Sequence, residues 1–142
     1  MFKVDRKSAS GAFIETPGTY HVAVDSVEEK ISPKGDEIAV VRYKDDSSGN
    51  TIRDDFYNTA KSHWRVQSLI VATAVDIPDG QEVDFDKRGN FTKFFGETFI
   101  GKTLDIVVVS EKYTAKDGTE KTICKVKSVK PNKPAAEGEL AY

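Results

Sequence analysis

Residues 51–75 read TIRDDFYNTAKSHWRVQSLIVATAV, and the change of period inside this stretch decides the fold. From Thr51 to Tyr57 the side chains alternate, with Ile52 and Phe56 on one face and Arg53 and Tyr57 on the other. That is the period of a half-buried strand. Asn58 or Thr59 then offers a helix cap. A helix is predicted to about Val75, with a broad apolar stripe from Trp64, Val66, Leu69, Ile70, Val71, Ala74 and Ile77. On this reading Trp64 packs the helix onto the strands rather than serving as a ligand platform.

Two strands precede this switch. Gly18 opens the first, where Tyr20, Val22 and Val24 alternate with His21, Ala23 and Asp25. The run continues to Ile31, and its change of phase near Ser26 predicts a bulge. The segment Ser32-Pro33-Lys34-Gly35-Asp36 is a turn. The second strand runs from Glu37 to about Lys44. Ile38, Val40, Arg42 and Lys44 share one face; Ala39, Val41 and Tyr43 share the other. Asp45 to Asn50 is a polar turn.

Two more strands follow. Pro78-Asp79-Gly80 closes the helical region, and an acidic loop comes next. Phe91, Phe94, Phe95 and Phe99 recur at helical spacing and predict a second, short helix that plugs the core. The fourth strand is Lys102 to Thr114, with Leu104, Ile106 and Val108 inward. Asp117-Gly118 is a strong hairpin signal. The fifth strand is Glu120 to Lys130, with Cys124 and Val126 inward and Lys121, Lys125 and Lys127 outward.

Three strands, a helix, then two strands is the element order of a small barrel of the oligonucleotide/oligosaccharide-binding (OB) type. The expected fold is therefore all-β: a five-stranded OB-type Greek-key barrel with one main α-helix between strands three and four and a second short helix. The expected organisation is an N-terminal arm over 1–17, the barrel domain over 18–131, and a flexible C-terminal tail over 132–142. A chain of 142 residues suits one domain with its own core. No internal repeat is present.

The formal charge of −2 excludes a globally basic protein, but the charges are unevenly placed. Seven lysines lie between Lys112 and Lys133 against Asp117 and Glu120, and five carboxylates without a base lie between Asp76 and Asp86. Cys124 is the sole cysteine, so an intramolecular disulfide and a four-cysteine zinc site are excluded. It reads as a reduced, buried thiol of a cytosolic protein. The N-terminus carries Lys3, Asp5, Arg6 and Lys7 without an apolar run, so no signal peptide is expected. The stretch Leu69 to Ala72 is far too short to span a bilayer, so no membrane partner is expected.

Catalytic signals are poor, and no enzyme is expected. His21 and His63 lack metal or nucleophile–base spacing. Asp54 and Asp55 are adjacent on a strand, point to opposite faces and cannot share one metal. Asp84 and Asp86 share a face but sit among turn residues, where a solvated acidic loop is the simpler reading. No phosphate-binding glycine loop occurs. No metal and no cofactor are implied.

Cations and exposed rings remain. Lys30, Lys34, Arg42, Lys44 and Arg53 fall on strands one to three and the first hairpin, and Lys112, Lys116, Lys125 and Lys127 on the last. In an OB barrel these elements frame one groove, where spaced cations would hold a phosphate backbone without reading sequence. An ordinary solvated sheet face with protective lysines is the competing reading. Tyr57 and Tyr113 are the stacking candidates; Tyr43 and Phe56 fall on the core-facing parity and stand second.

Gly18-x-Tyr20, the run Ser32 to Glu37, the Trp64 helix, Gly101-Lys102-Thr103-Leu104 and the Tyr113 to Gly118 hairpin together resemble phage-encoded single-stranded-DNA-binding proteins of replication and recombination modules. The resemblance runs from about Phe2 to Val129. It implies an OB fold and sequence-tolerant coating of single-stranded DNA in the cytoplasm of a bacterial host. Partners would be the DNA, replication or recombination proteins of phage or host, and further copies of the chain along the strand. Many such proteins end in a strongly acidic tail; here Glu137 and Glu139 precede Leu140 and Tyr142. The rival reading is a small β-barrel module that binds protein in phage assembly or host takeover.

Overall fold

Strand β1 (Gly18–Ile31) is the spine of the sheet, because it is long enough to pair on both sides in succession. Its first part pairs antiparallel with β4 (Thr103–Thr114), Tyr20 opposite Ile106. Its second part pairs antiparallel with β2 (Glu37–Asp45), Lys30 opposite Ile38. The register slips between Val24 and Ser26, where the sequence pattern changes phase. A bulge there bends the strand and sharpens its twist, so one strand serves two differently oriented partners. Strand β3 (Thr51–Tyr57) pairs with β2, and β5 (Glu120–Lys130) pairs with β4. The spatial order is β3-β2-β1-β4-β5. The computed structural model describes residues 13–131 in this way. Most of the expected N-terminal arm and the whole expected tail over 132–142 lie outside the described residues.

The result is a mostly β protein: a five-stranded, antiparallel, open sheet with two short α-helices. The edge strands β3 and β5 approach each other without pairing, so the sheet is curled but not closed. Helix α1 (His63–Thr73), entered through a 3-10 turn (Ala60–Ser62), packs against β5, β4 and β3. Helix α2 (Asn90–Phe99) packs against β1 and β2. Phe91, Phe95 and Phe99 of α2 are fully buried, and Phe95 contacts the other two and Phe56 of β3, with ring centroids 5.1 Å apart for Phe56 and Phe95. Ala39, Val41, Tyr43, Leu104 and Ile106 complete the core from the sheet.

Three expectations for α1 need correction. Neither Asn58 nor Thr59 caps it through a side chain, and the helix ends at Thr73, where Ala74 takes a left-handed conformation. Asn58 instead donates to the carbonyl of Phe85 and accepts from His63 Nε2, tying the acidic loop to the helix start. Trp64 and Val71 are also not core. They are 65% and 66% exposed, while Val66, Leu69, Ala72 and Thr73 are buried. Each exposed residue lies two positions from a buried one, roughly half a turn of helix away. The broad stripe hid which flank faces inward. On the inward side Arg65 reaches Asp54 of β3 and ties the helix to the strand.

Candidate functional site

The registers assemble the predicted cations of β1–β3 row by row on the outer face of the sheet. Lys30 of β1, Ile38 of β2 and Tyr57 of β3 form one row. Glu28, Val40 and Asp55 form the next, and Ser26, Arg42 and Arg53 the third. Lys44 lies beyond, opposite Thr51. This face is continuous because alternation in β2 and β3 runs without a slip. Tyr57 is 42% exposed at one end of it. Ile38 and Val40 are buried although they point outward, flanked by the longer side chains of their rows. The second-choice stackers Tyr43 and Phe56 are fully buried, so they are excluded as stacking platforms.

The face is not a bare cationic surface. Arg53 makes two parallel hydrogen bonds to Asp55, 2.7 Å from Nε and 2.8 Å from NH2, which raise the pKa of the guanidinium further. Arg42 stands 3.8 Å from Glu28. Lys30, Lys34 and Lys44 form no ion pair among the described residues. Lys34 sits in the β1–β2 turn, closed by a hydrogen bond from the Gly35 amide to the Ser32 carbonyl.

The β4–β5 hairpin carries the second group. Tyr113 pairs across from Lys121, Glu111 from Ile123, and Val109 from Lys125, so these residues share one face. Tyr113 is 46% exposed. Lys125 is ion-paired to Glu111. Lys112 belongs to the opposite face, against Thr122, and pairs with Glu120 at 3.8 Å, so it does not stand beside Tyr113. The register slips past Lys127, which becomes the bulge residue of β5. Lys116 lies in the turn, where Asp117 Oδ1 accepts the Thr119 amide proton and Gly118 takes a positive φ. That hydrogen bond with Thr119 also holds the Asp117 pKa below its ordinary value. Lys121, outward by parity and opposite Tyr113, is a further cation of this face beyond the expected set.

Other titratable groups serve the fold. Asp54 points inward, as alternation requires, and accepts two hydrogen bonds from Arg65 NH2, at 2.8 Å and 3.0 Å. Tyr43 donates to Oδ2 of the same carboxylate at 3.3 Å. Burial pushes the Asp54 carboxyl up, with Arg65 pulling against it, and burial beside Asp54 pushes the Tyr43 phenol well up. His21 hydrogen-bonds Asp105 on the outer face of β1 and β4. Asp84 Oδ1 accepts the Asp86 amide proton, an ordinary turn contact rather than a metal pair. Among the described residues no cluster suits a metal ion.

Over residues 2–139 the chain matches the family described as Protein of unknown function (DUF669), and it belongs to that family. No curated protein matches the chain.

Proposed function

We propose that this member of the DUF669 family is a single-stranded-DNA-binding protein, not an enzyme, that coats DNA with little regard to sequence during phage replication or recombination. The curled, open sheet is read as the partly open Greek-key barrel of the OB type. The observation that carries the proposal is the outer face of β1–β3. There Lys30, Arg42, Lys44 and Arg53 share one face with the exposed ring of Tyr57, which stands at its end. Phosphates would bind the cations and bases would stack on Tyr57 and Tyr113, the combination that sequence-tolerant strands require. The work would take place in the cytoplasm of the bacterial host, with replication or recombination proteins and further copies of the chain as partners.

A second reading is a module of the same fold that binds only protein. It draws support from the carboxylates that already pair with Arg42, Arg53, Lys112 and Lys125. Titration with labelled oligothymidylate, duplex DNA and RNA at several salt concentrations separates the two. DNA binding predicts preference for the single strand and a log K that falls by about 0.7 per phosphate contact for each unit of log salt. Equal affinity for the duplex, or indifference to salt, would sink it.

A further inference from the structure

Helix α1 turns an apolar flank to solvent. Trp64 and Val71 are the two most exposed large apolar residues described. They lie two turns apart on the same flank, about 10 Å along the axis. Gln67 stands between them, and both Gln67 and Val71 border a cleft of about 440 Å³ between α1 and the acidic loop. The floor of the cleft is apolar, from Val66, Ile70, Phe85 and Phe94. Its rim carries Asp79, Asp84 and Asp86, with Val83 41% exposed beside them.

The cleft has fixed walls. Asn58 Nδ2 donates to the Phe85 carbonyl at 2.8 Å, and Asn90 Nδ2 to that of Asp84 at 3.2 Å. The Phe85 ring meets those of Phe91 and Phe94 edge-on, with centroids 4.9 Å and 5.3 Å away. Residues 74–89 contain neither helix nor strand; connections this long in a compact domain are usually either functional or linker segments, and this one is tied down by the contacts just named. No lysine or arginine lines the cleft, and its three carboxylates form no ion pair among the described residues. An exposed apolar patch that leads into a cleft marks an interaction site, and the unpaired rim carboxylates select the sign of what enters.

We infer that this flank of α1 and the adjoining cleft dock a segment of a partner protein. The segment places an apolar side chain in the cleft and lysine or arginine against Asp79, Asp84 and Asp86. Trp64 suits the role of anchor, since an exposed indole gives both contact area and a face for a cation. Nucleic acid is disfavoured here by like charge. The surface is also separate from the outer face of β3. Helix α1 engages the inner side of that strand, where Arg65 reaches Asp54 and the Phe56 ring, while Arg53, Asp55 and Tyr57 face outward. Both surfaces can be occupied together, so this inference stands whether or not DNA is bound.

The test uses the full chain and a labelled peptide of alternating lysine and leucine. A glutamate–leucine peptide and a lysine–glycine peptide of equal length are the controls. The lysine–leucine peptide should bind saturably and about tenfold or more tighter than either control. Its amide shifts in NMR spectra should fall on residues 63–71 and 77–86. The double substitution Asp84→Asn and Asp86→Asn should weaken it several-fold, and so should Trp64→Ala, with Tm unchanged because all three side chains are exposed. Equal affinity for the three peptides overturns the inference, as do shifts confined to the outer face of β1–β3. Shifts at 63–71 and 77–86 caused by oligothymidylate would assign the site to nucleic acid. Shifts that depend on protein concentration alone would assign it to a second copy. Either result also overturns the inference.

Discussion

Asp54 and Asp55 are neighbours on β3, and each is held by an arginine, yet the two pairs do opposite things. Asp54 faces the core and meets Arg65 of α1; Asp55 faces solvent and meets Arg53 two residues back on its own strand. The inner pair joins two elements, and Arg65 also donates to the Asp55 carbonyl at 2.8 Å and lies 4.5 Å over the Phe56 ring. The outer pair joins nothing that the strand does not already hold. Chemical identity is thus a poor guide to worth. A buried pair is costly to break because the survivor keeps its charge without solvent, whereas an exposed pair is nearly free to exchange partners. Exchange of partners is what a phosphate would ask of Arg53, and fixity is what the helix asks of Arg65.

The sharpest break of this comparison is Arg65→Ala. It strands the Asp54 carboxylate beside a buried phenol and should cost about 3–5 kcal/mol. Tm should drop by on the order of 10 °C or more. Urea melts check the size, and a second variant checks the cause. Arg65→Met with Asp54→Leu removes both charges and should recover most of the loss. A double variant as unstable as the single one would mean that the guanidinium is needed for its packing on Phe56, not to match Asp54.

On the outer face the largest effect belongs to Tyr57→Ala, and it should appear in binding rather than in stability. Loss of one stacking ring costs ~1–3 kcal/mol of affinity for a single strand, measured by titration with oligothymidylate. Tm should stay close to that of the parent, since the ring is 42% exposed. A large fall in Tm with normal binding of the folded fraction would make Tyr57 part of the packing.

The sheet was legible in the sequence because its information is local. Alternation, the phase change at Ser26 and the Asp117-Gly118 turn each occupy a few consecutive residues, and each strand lies where that pattern puts it. The curl that relates the two hairpins is not local, and the sheet as it stands is open. Nor was the facing of α1 legible. Its apolar residues surround much of the helix, so periodicity alone gave no preferred flank, and the facing observed goes with a contact eleven positions away, Arg65 with Asp54. The candidate site was half legible. Parity collected Arg42, Arg53 and Tyr57 correctly, but the pairing of Arg42 with Glu28 and of Lys125 with Glu111 arises only from cross-strand or diagonal neighbours. The cap of α2 was the least visible feature of all, because it comes from another strand.

That cap gives an intermediate effect with a pH signature. Glu37 of β2 accepts the Gly89 amide proton at 3.0 Å, and the Thr92 amide and hydroxyl protons at 3.0 Å and 2.7 Å. Gly89 reaches this position with φ of 92°, open to glycine without strain. Burial pushes the Glu37 carboxyl up, but the Thr92 and Gly89 hydrogen bonds and nearby Arg88 outweigh it and hold the pKa below its ordinary value. A depressed folded-state pKa means stability that is present above the unfolded glutamate pKa, roughly 4.3, and is lost as pH falls through the folded value. Glu37→Gln should cost about 0.5–2 kcal/mol at neutral pH, the scale of a lost helix cap. It should also flatten the acid limb of a stability–pH curve below about pH 4.3. An unchanged acid limb would show that other carboxylates dominate acid unfolding.

The smallest effect on stability belongs to the outer pair, and it is the most informative about the ligand. Asp55→Asn keeps the shape of the side chain and removes the charge that holds Arg53. Stability should move by no more than about 0.2–1 kcal/mol, because the arginine is partly solvated with or without its partner. Binding should respond in the opposite sense to most surface mutations. A phosphate that reaches Arg53 in the parent must first displace Asp55, which offsets part of its own attraction. In the variant the guanidinium is already free. Affinity for oligothymidylate should rise, and the slope of log K against log salt should steepen by about 0.7, one more phosphate effectively neutralised. Arg53→Ala should do the reverse, with a weaker and flatter titration. If Asp55→Asn weakens binding instead, the carboxylate is not a competitor but the support that aims Arg53 at its phosphate. The outer pair would then resemble the inner one, a fixed geometry rather than an exchangeable contact.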